Sequence, residues 1–463
     1  MIPIRLRFTT LLILGVLLEV AFAAIWRLGN VKAHVIPFLT WIFAAAPLYL
    51  IGVWLVTRSG EENRRELRLI VLFAILFRLT MLLLYPSLSD DAHRYRWEGR
   101  IQVAGFNPYQ YPPRSDVFDP LHDAAYRSVN GKDIASVYPP LAERIFRWNY
   151  ELVSGIRAEK LLYAVFDLLT IWLLCALLRQ RGLPRTRVLI YAWAPLSVVE
   201  IAGSGHMDVI AIFLMLAAFY WLGRSDRLSG LALLGAIGVK FFPVVLLPTW
   251  WQNSRKRPWA WSAALTLLVC LPYLWIDKHF AGPWLLHNLR EFSNRWYHNN
   301  DSLFALLTHM FGGGFQALEP ARQVVIIAVM AAIGWCAARR MEPLRAALVI
   351  LGTVLVFSPN VFPWYVLWLL PLLVFYPEPA WLYFSTGVFL AYQVLIPYQI
   401  LGQWFYPSRL VQWLEYTPLF ALLLGTLLWR RWRAGHRGEA GNGWQHRLDH
   451  VHLHEAQSQE VSR

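Results

Sequence analysis

The sequence predicts an all-α polytopic membrane protein, on three observations. Its 463 residues are 57% hydrophobic and only 16% charged, against about 25% charged in an ordinary soluble domain. Apolar runs of about twenty residues, enough to span a bilayer, recur along the chain. Lys and Arg gather in alternate short loops, the pattern of cytoplasmic loops. That pattern accounts for the net charge of +14 and removes it as an argument for nucleic acid. Cys175, Cys270 and Cys336 lie inside apolar runs and read as small buried hydrophobes, not as disulfides or metal ligands.

The basic N-terminus leads into an apolar run from Phe8 to Trp26, with no small-residue cleavage site after it. It reads as a first span and not as a signal peptide. Spans are expected at about 8–26, 34–56 and 67–86. Arg5 and Arg7 lie inside, as do Arg58, Arg64, Arg65 and Arg68. The third span therefore exits, and Asp90-Asp91 falls on the outer face. Residues 87–159 form the longest polar segment. Asn107-Pro108, Pro112-Pro113 and Pro139-Pro140 forbid one continuous helix there. Its aromatic content argues against disorder, so two or three short interfacial helices joined by ordered turns are expected.

Spans at about 160–178, 188–203 and 208–223 follow, with Arg179, Arg181, Arg185 and Arg187 inside. That places His206 and Asp208 outside, level with the acidic pair. Arg224 and Arg227 are inside, and so are Arg255, Lys256 and Arg257, yet only one apolar stretch, 229–251, separates them. One span cannot begin and end on the same side. Two short helical arms with a tip at Lys240-Phe241-Phe242-Pro243 resolve the conflict, giving a re-entrant pair with Lys240 in an outer cavity. The bland alternative is one tilted span with a snorkelling lysine. Further spans are expected at about 259–276, 323–338, 344–358, 364–376, 381–398 and 411–429, about twelve in all. An outer turn carries Trp364 and Tyr365. Residues 1–433 form the membrane domain; 434–463 read as a polar, disordered cytoplasmic tail, whose histidines suit solvent better than metal.

The unusual chemistry collects on one face. Asp90, Asp91, Arg94 and Glu98 stand among Tyr95, Trp97, Asn107 and Tyr109, and His206, Asp208 and Lys240 join them by topology. On a helix, Asp91, Arg94, Tyr95 and Glu98 share one side. Ionisable groups at a membrane boundary read as functional by default, although a solvated helix end or an interfacial aromatic belt uses the same residue types. Transfer of a sugar from a lipid phosphate needs this set: a carboxylate for the acceptor proton, cations for the departing phosphate, and aromatic and Asn side chains for the sugar. Asp90 and Asp91 could also hold a divalent ion, but no further ligand set accompanies them, so no metal or other cofactor is expected.

The stretches SDDAHRYRWEGRIQVAGFNPYQYPP, DIASVYPPLAERIF, GSGHMDVIAIFLMLA, GAIGVKFFPVVLLP and SPNVFPWYVLWLLPLL resemble bacterial GT-C-fold glycosyltransferases. The likeness is greatest to the polyprenol-phosphate-mannose-dependent, GT87/DUF2029-like group. This resemblance implies a GT-C-like fold and an inverting transferase at the outer face of the cytoplasmic membrane. It implies a polyprenyl-phosphate hexose donor, mannose by preference, and a lipid or glycan acceptor. It implies that Asp90 or Asp91 is the base and that Lys240 contacts phosphate. Arg94, Tyr95, Glu98, Asn107, Tyr109, His206, Asp208, Trp364 and Tyr365 complete the expected substrate site. The acidic pair follows the third span here, whereas many GT-C enzymes place it after the first. Position nearer the headgroups favours Asp90 over Asp91 as base. The rival reading is a transporter or flippase for lipid-linked sugars; such proteins often show internal repeats, and none is evident here.

Overall fold

The computed structural model describes residues 3–58, 62–153, 155–254, 262–267, 275–276, 279–280, 282–295, 298–401 and 408–433. The tail expected at 434–463, the basic cluster Arg255, Lys256 and Arg257, and most of the span expected at 259–276 lie outside the described residues. Helix dominates. The extended pieces are a short antiparallel pairing of Trp275 with Phe280 and Ile276 with His279, and a bridge between Asn299 and Asn360.

Six helices among the described residues are long and apolar enough to cross a membrane: Arg5–Arg27, Val31–Arg58, Ile156–Gln180, Phe315–Ala338, Pro379–Leu401 and Arg409–Arg433. Asp208–Trp221 and Pro343–Phe357 are shorter and apolar. Large apolar side chains stay exposed along these helices, Ile13, Val16, Val20, Ile326 and Ile327 among them. A protein that left such a belt in water would aggregate, so the belt fits lipid.

Among the expected spans, 381–398 passes from an α-helix, Pro379–Gly387, through a 3-10 segment, Val388–Val394, into Leu395–Leu401, and two others are broken at prolines. Residues 188–203 begin at the end of a 3-10 turn, Arg185–Val188. They continue as a short helix, Leu189–Ala192, a turn at Pro195–Ser197 and a π-helical segment, Val198–Gly203. Residues 364–376 run mainly through 3-10 turns, Pro363–Trp368 and Leu370–Val374. Pro195, Pro363 and Pro371 each remove a backbone donor and force these breaks.

Broken backbone inside an apolar body leaves carbonyls to be satisfied. Arg78, in the helix Arg64–Leu82, does this for the first break. Its guanidinium donates to the Ala192 carbonyl at 2.6 Å and to Asp167 at 2.8 Å, and Tyr191 donates to the other Asp167 oxygen at 2.7 Å. Arg78 and Asp167 are both buried, so each depends on the other for its counter-charge.

The chain at 226–253 is a helical hairpin. The helix Asp226–Val239 ends where Lys240 turns extended (φ −148°, ψ 142°), and a 3-10 turn, Phe242–Leu246, leads into a returning helix, Leu247–Asn253. The indole of Trp250 donates to Ser229 Oγ at 2.8 Å, which brings the two arms together. Lys240 stands at the tip.

The 87–159 segment is ordered throughout its described length. It contains helices Asp91–Val103 and Pro140–Leu152 and 3-10 turns Asp116–Leu121 and Ala125–Ser128. The two helices pack closely at Gly99, where a Cβ would lie 2.3 Å from the Phe146 carbonyl oxygen. Tyr95 stacks on Phe146 with centroids 4.7 Å apart. Gln102 donates to the buried carboxyl of Glu143 at 2.7 Å, and Ser136 donates to its other oxygen.

Ion pairs at the other end of the helices join Arg7 to Glu66, Arg185 to Glu62, Arg181 to Glu342 and Arg430 to Glu378. These arginines come from the basic loops, so the molecule has one basic polar end and, opposite, the end that carries the acidic pair.

Candidate active site

Asp90 and Asp91 stand where the helix Asp91–Val103 begins, and the turn before them is pinned. Lys160 donates to the carbonyls of Met81, Leu82 and Leu84, which end the Arg64–Leu82 helix. Ser87 Oγ accepts from the Val31 backbone N–H at 2.8 Å. The two carboxylates then take different partners. Lys32 Nζ lies 3.3 and 3.1 Å from the two oxygens of Asp90. Asp91 Oδ1 accepts from the Asn130 amide at 2.7 Å. Its Oδ2 accepts no hydrogen bond from the described residues and faces His206 Nδ1 at 3.8 Å.

His206 and Asp208 follow the π-helical segment. Gly205 connects them to it with φ +79°, a left-handed conformation, and a Cβ there would sit 3.0 Å from Lys160 Cγ. Asp208 is buried; it accepts from Lys240 Nζ at 3.1 Å and from the Trp368 indole at 2.7 Å. The hairpin tip is thereby fastened to the start of the Asp208–Trp221 helix.

The acidic pair and the hairpin tip border a cavity of about 960 Å³. Asp90, Asp91, Arg94, Lys240, Trp364 and Tyr365 line it, together with Lys32, Asn130, Tyr138, Trp368 and Tyr392. Its floor is aromatic: Tyr365 and Phe242 both stack on Trp368, at 4.4 and 4.5 Å between centroids. Burial first, and the Asp91 charge second, hold the Tyr138 phenol well above the usual tyrosine range. It stays an O–H donor under all ordinary conditions.

His206 and Asp208 lie directly behind this lining, in contact with Asp91 and Lys240. Tyr95, Glu98, Asn107 and Tyr109 are not among the lining residues. Tyr95 stacks within the helix pair, and Glu98 accepts from Arg94. Asn107 caps its own turn by accepting from the Tyr109 N–H at 3.0 Å, and Tyr109 donates to the Tyr138 carbonyl at 2.7 Å. Arg94 reaches the cavity wall, but its guanidinium also donates to the carbonyls of Asn130, Gly131 and Ile134. It shapes the loop that carries Asn130.

Sequence reasoning did not single out Lys32, Asn130, Tyr138, Glu200, Trp368 or Tyr392. Glu200 had a readable signal, a carboxylate inside an apolar run. Among the described residues no group of three or more His, Cys, Asp and Glu side chains is placed to hold a metal ion.

A family model described as alpha-(1->6)-mannopyranosyltransferase, N-terminal domain, matches residues 11–253, more than half of the chain. The chain belongs to this mannosyltransferase family. The matched part contains Asp90, Asp91, His206, Asp208 and Lys240, whereas the aromatic wall from Trp364 to Tyr392 lies beyond it. The match speaks for mannosyl transfer and not for the GT87 group in particular, and it gives the transporter reading no support. No curated protein and no solved structure matches this mannosyltransferase.

Proposed function

We propose that the mannosyltransferase moves mannose from a polyprenyl-phosphate donor to a lipid or glycan acceptor by a single inverting displacement in this cavity, at the outer face of the cytoplasmic membrane. The observation that carries the reading is that a carboxylate with an open oxygen, Asp91, and a cation, Lys240, border one aromatic-floored cavity. The cavity sits at the end of an apolar helical body able to hold a long lipid tail.

In this mechanism Asp91 Oδ2 takes the proton of the acceptor hydroxyl as that oxygen bonds to the donor's anomeric carbon. The bond from that carbon to the phosphate oxygen breaks on the opposite side, and its electron pair leaves with the phosphate. Lys240, held by Asp208, receives the phosphate charge. Position along the chain favours Asp90 as base, but Lys32 occupies both of its oxygens, so we assign the proton transfer to Asp91. A family named for α-linked products, acting with inversion, requires a β-linked donor. The 226–253 hairpin serves as a re-entrant pair that carries Lys240 to the phosphate.

The test is transfer by purified protein in lipid nanodiscs, given radiolabelled β-mannosyl phosphoundecaprenol and octyl α-mannoside. An α-linked disaccharide product is expected. Use of a nucleotide-mannose donor instead, or a β-linked product, overturns the reading.

A further inference from the structure

Behind Asp91 lies a row of groups that the transfer step as described does not use. His206 is wholly buried, and neither ring nitrogen has a hydrogen-bond partner among the described residues. Its two nitrogens nonetheless face two carboxylates: Nδ1 is 3.8 Å from Asp91 Oδ2 and Nε2 is 3.4 Å from Glu200 Oε2. Glu200 is also wholly buried. Its Oε1 accepts from the Tyr392 hydroxyl at 2.8 Å, and its Oε2 accepts no hydrogen bond from the described residues. The π-helical segment Val198–Gly203 presents Glu200, and the His206 N–H returns to the Glu200 carbonyl at 3.0 Å. π-Bulges are often found at functional sites.

A histidine kept only for packing would have its ring nitrogens satisfied by neutral donors or acceptors. Here both meet carboxylate oxygens, and only the imidazolium donates from both nitrogens. The neighbouring cations are engaged elsewhere: Lys160 with the carbonyls of Met81, Leu82 and Leu84, and Lys240 with Asp208. His206 is therefore the group placed to face Glu200, whose Oε2 meets no other donor among the described residues. Both separations are slightly longer than a hydrogen bond, as catalytic contacts often are before substrate closes the site.

We propose that His206, backed by Glu200 and Tyr392, is a positioning residue for the base: it holds Asp91 ionised and keeps Oδ2 turned to the acceptor hydroxyl. The inference rests on the assignment of Asp91 as base. His206 touches no substrate. When Asp91 takes the acceptor proton, the His206 N–H at Nδ1 continues to orient the protonated carboxyl, and Glu200 continues to balance the imidazolium.

The experiment uses the full chain in nanodiscs, with radiolabelled β-mannosyl phosphoundecaprenol and octyl α-mannoside. His206→Gln and Glu200→Gln are each expected to lower kcat about ten- to a hundredfold, the usual size of an outer-layer orienting effect. KM for both substrates should stay within about threefold, because no binding contact is lost. Tyr392→Phe, which removes one oxygen and no charge, should lower kcat in the same direction by less. Asp91→Asn should lower kcat further, and the Asp91→Asn/His206→Gln double variant should be no slower than Asp91→Asn, since both act through one carboxylate. Unchanged kcat in His206→Gln and Glu200→Gln alongside a dead Asp91→Asn overturns this inference and leaves the base in place. So does a raised KM with kcat intact, or a double variant slowed by the product of the single losses. Normal turnover in Asp91→Asn removes the base itself. If His206→Gln proves unstable on heating, Glu200→Gln and Tyr392→Phe decide by the same kcat and KM criteria.

Discussion

Trp364 stacks on the imidazole of His206, with ring centroids 4.1 Å apart and planes at 17°. Trp364 lines the cavity and His206 does not, so the indole separates the buried ring from the substrate space. Phe362 stacks on Trp364 at 4.6 Å. Replacement by Leu should uncover the imidazole to water and lower turnover about tenfold, whereas Trp364→Phe should retain most of it. Steady-state rates of the two variants, compared at matched thermal stability, check this.

The two aspartates should separate cleanly. Asp91→Asn is expected to reduce turnover by roughly two to four orders of magnitude with donor affinity kept, as for loss of a general base. Asp90→Asn frees Lys32 and should act more weakly and mainly on binding. Single-turnover rates and donor dissociation constants on both variants are the measurements. Near-normal turnover in Asp91→Asn with loss in Asp90→Asn would return the base to Asp90.

Lys240→Met should weaken donor binding more than Lys240→Arg, because either cation meets a phosphate. The Met variant also leaves Asp208 buried without its counter-charge, an effect of about 3–5 kcal/mol. Its melting temperature should fall too. Lys240→Met/Asp208→Asn should recover the melting temperature and not the donor affinity, which separates the two roles.

Stability should depend on pH through Glu143. Burial first, and the charge of Glu98 second, push its carboxyl well above the usual carboxylate range. The folded state then binds more protons than the unfolded state between the two pKa values, so stability is present at low pH and is lost as pH rises through that window. Glu143→Gln mimics the protonated side chain. Its melting temperature should match the wild type near pH 4 and exceed it increasingly as pH rises above about 5. A pH-independent difference would show that the Glu143 carboxyl titrates alike in the folded and unfolded protein, with no upward shift.

Sidedness is testable at exposed positions near the cavity. A cysteine replacing Arg114 should react with an impermeant thiol reagent in intact cells, and one replacing Arg345 at the opposite, basic end only after lysis. The reverse pattern would place the site in the cytoplasm.

Much of this site was readable because ionisable residues stand out in an apolar sequence. Asp91, His206, Asp208 and Lys240 come together as the loop charges implied. Tyr95, Glu98, Asn107 and Tyr109 show the limit of that argument. A helical face can be read from spacing, but whether it meets a cavity or another helix depends on partners such as Phe146, far along the chain. Lys32 and Tyr392 were illegible for the same reason, their partners lying 58 and 192 residues away. Arg78 and Asp167 were hidden by their surroundings, since a long hydrophobic run absorbs one charge without changing its average. The breaks at 188–203 and 364–376 follow from prolines that hydrophobicity alone does not weigh.

The Arg78–Asp167 pair, with its hold on the Ala192 carbonyl, has a consequence for how this lineage can vary. Loss of either partner strands a charge in a dry interior at a cost of about 3–5 kcal/mol, a large share of the stability of most folds. Exchange of both for well-packed apolar residues carries no such electrostatic penalty, although the carbonyl must then find another donor. Mutational drift at positions 78 and 167 is therefore confined to joint steps. Across related sequences the two should be inherited as a unit, both present or both replaced, with the rare replacements accompanied by a straightened backbone near residue 192.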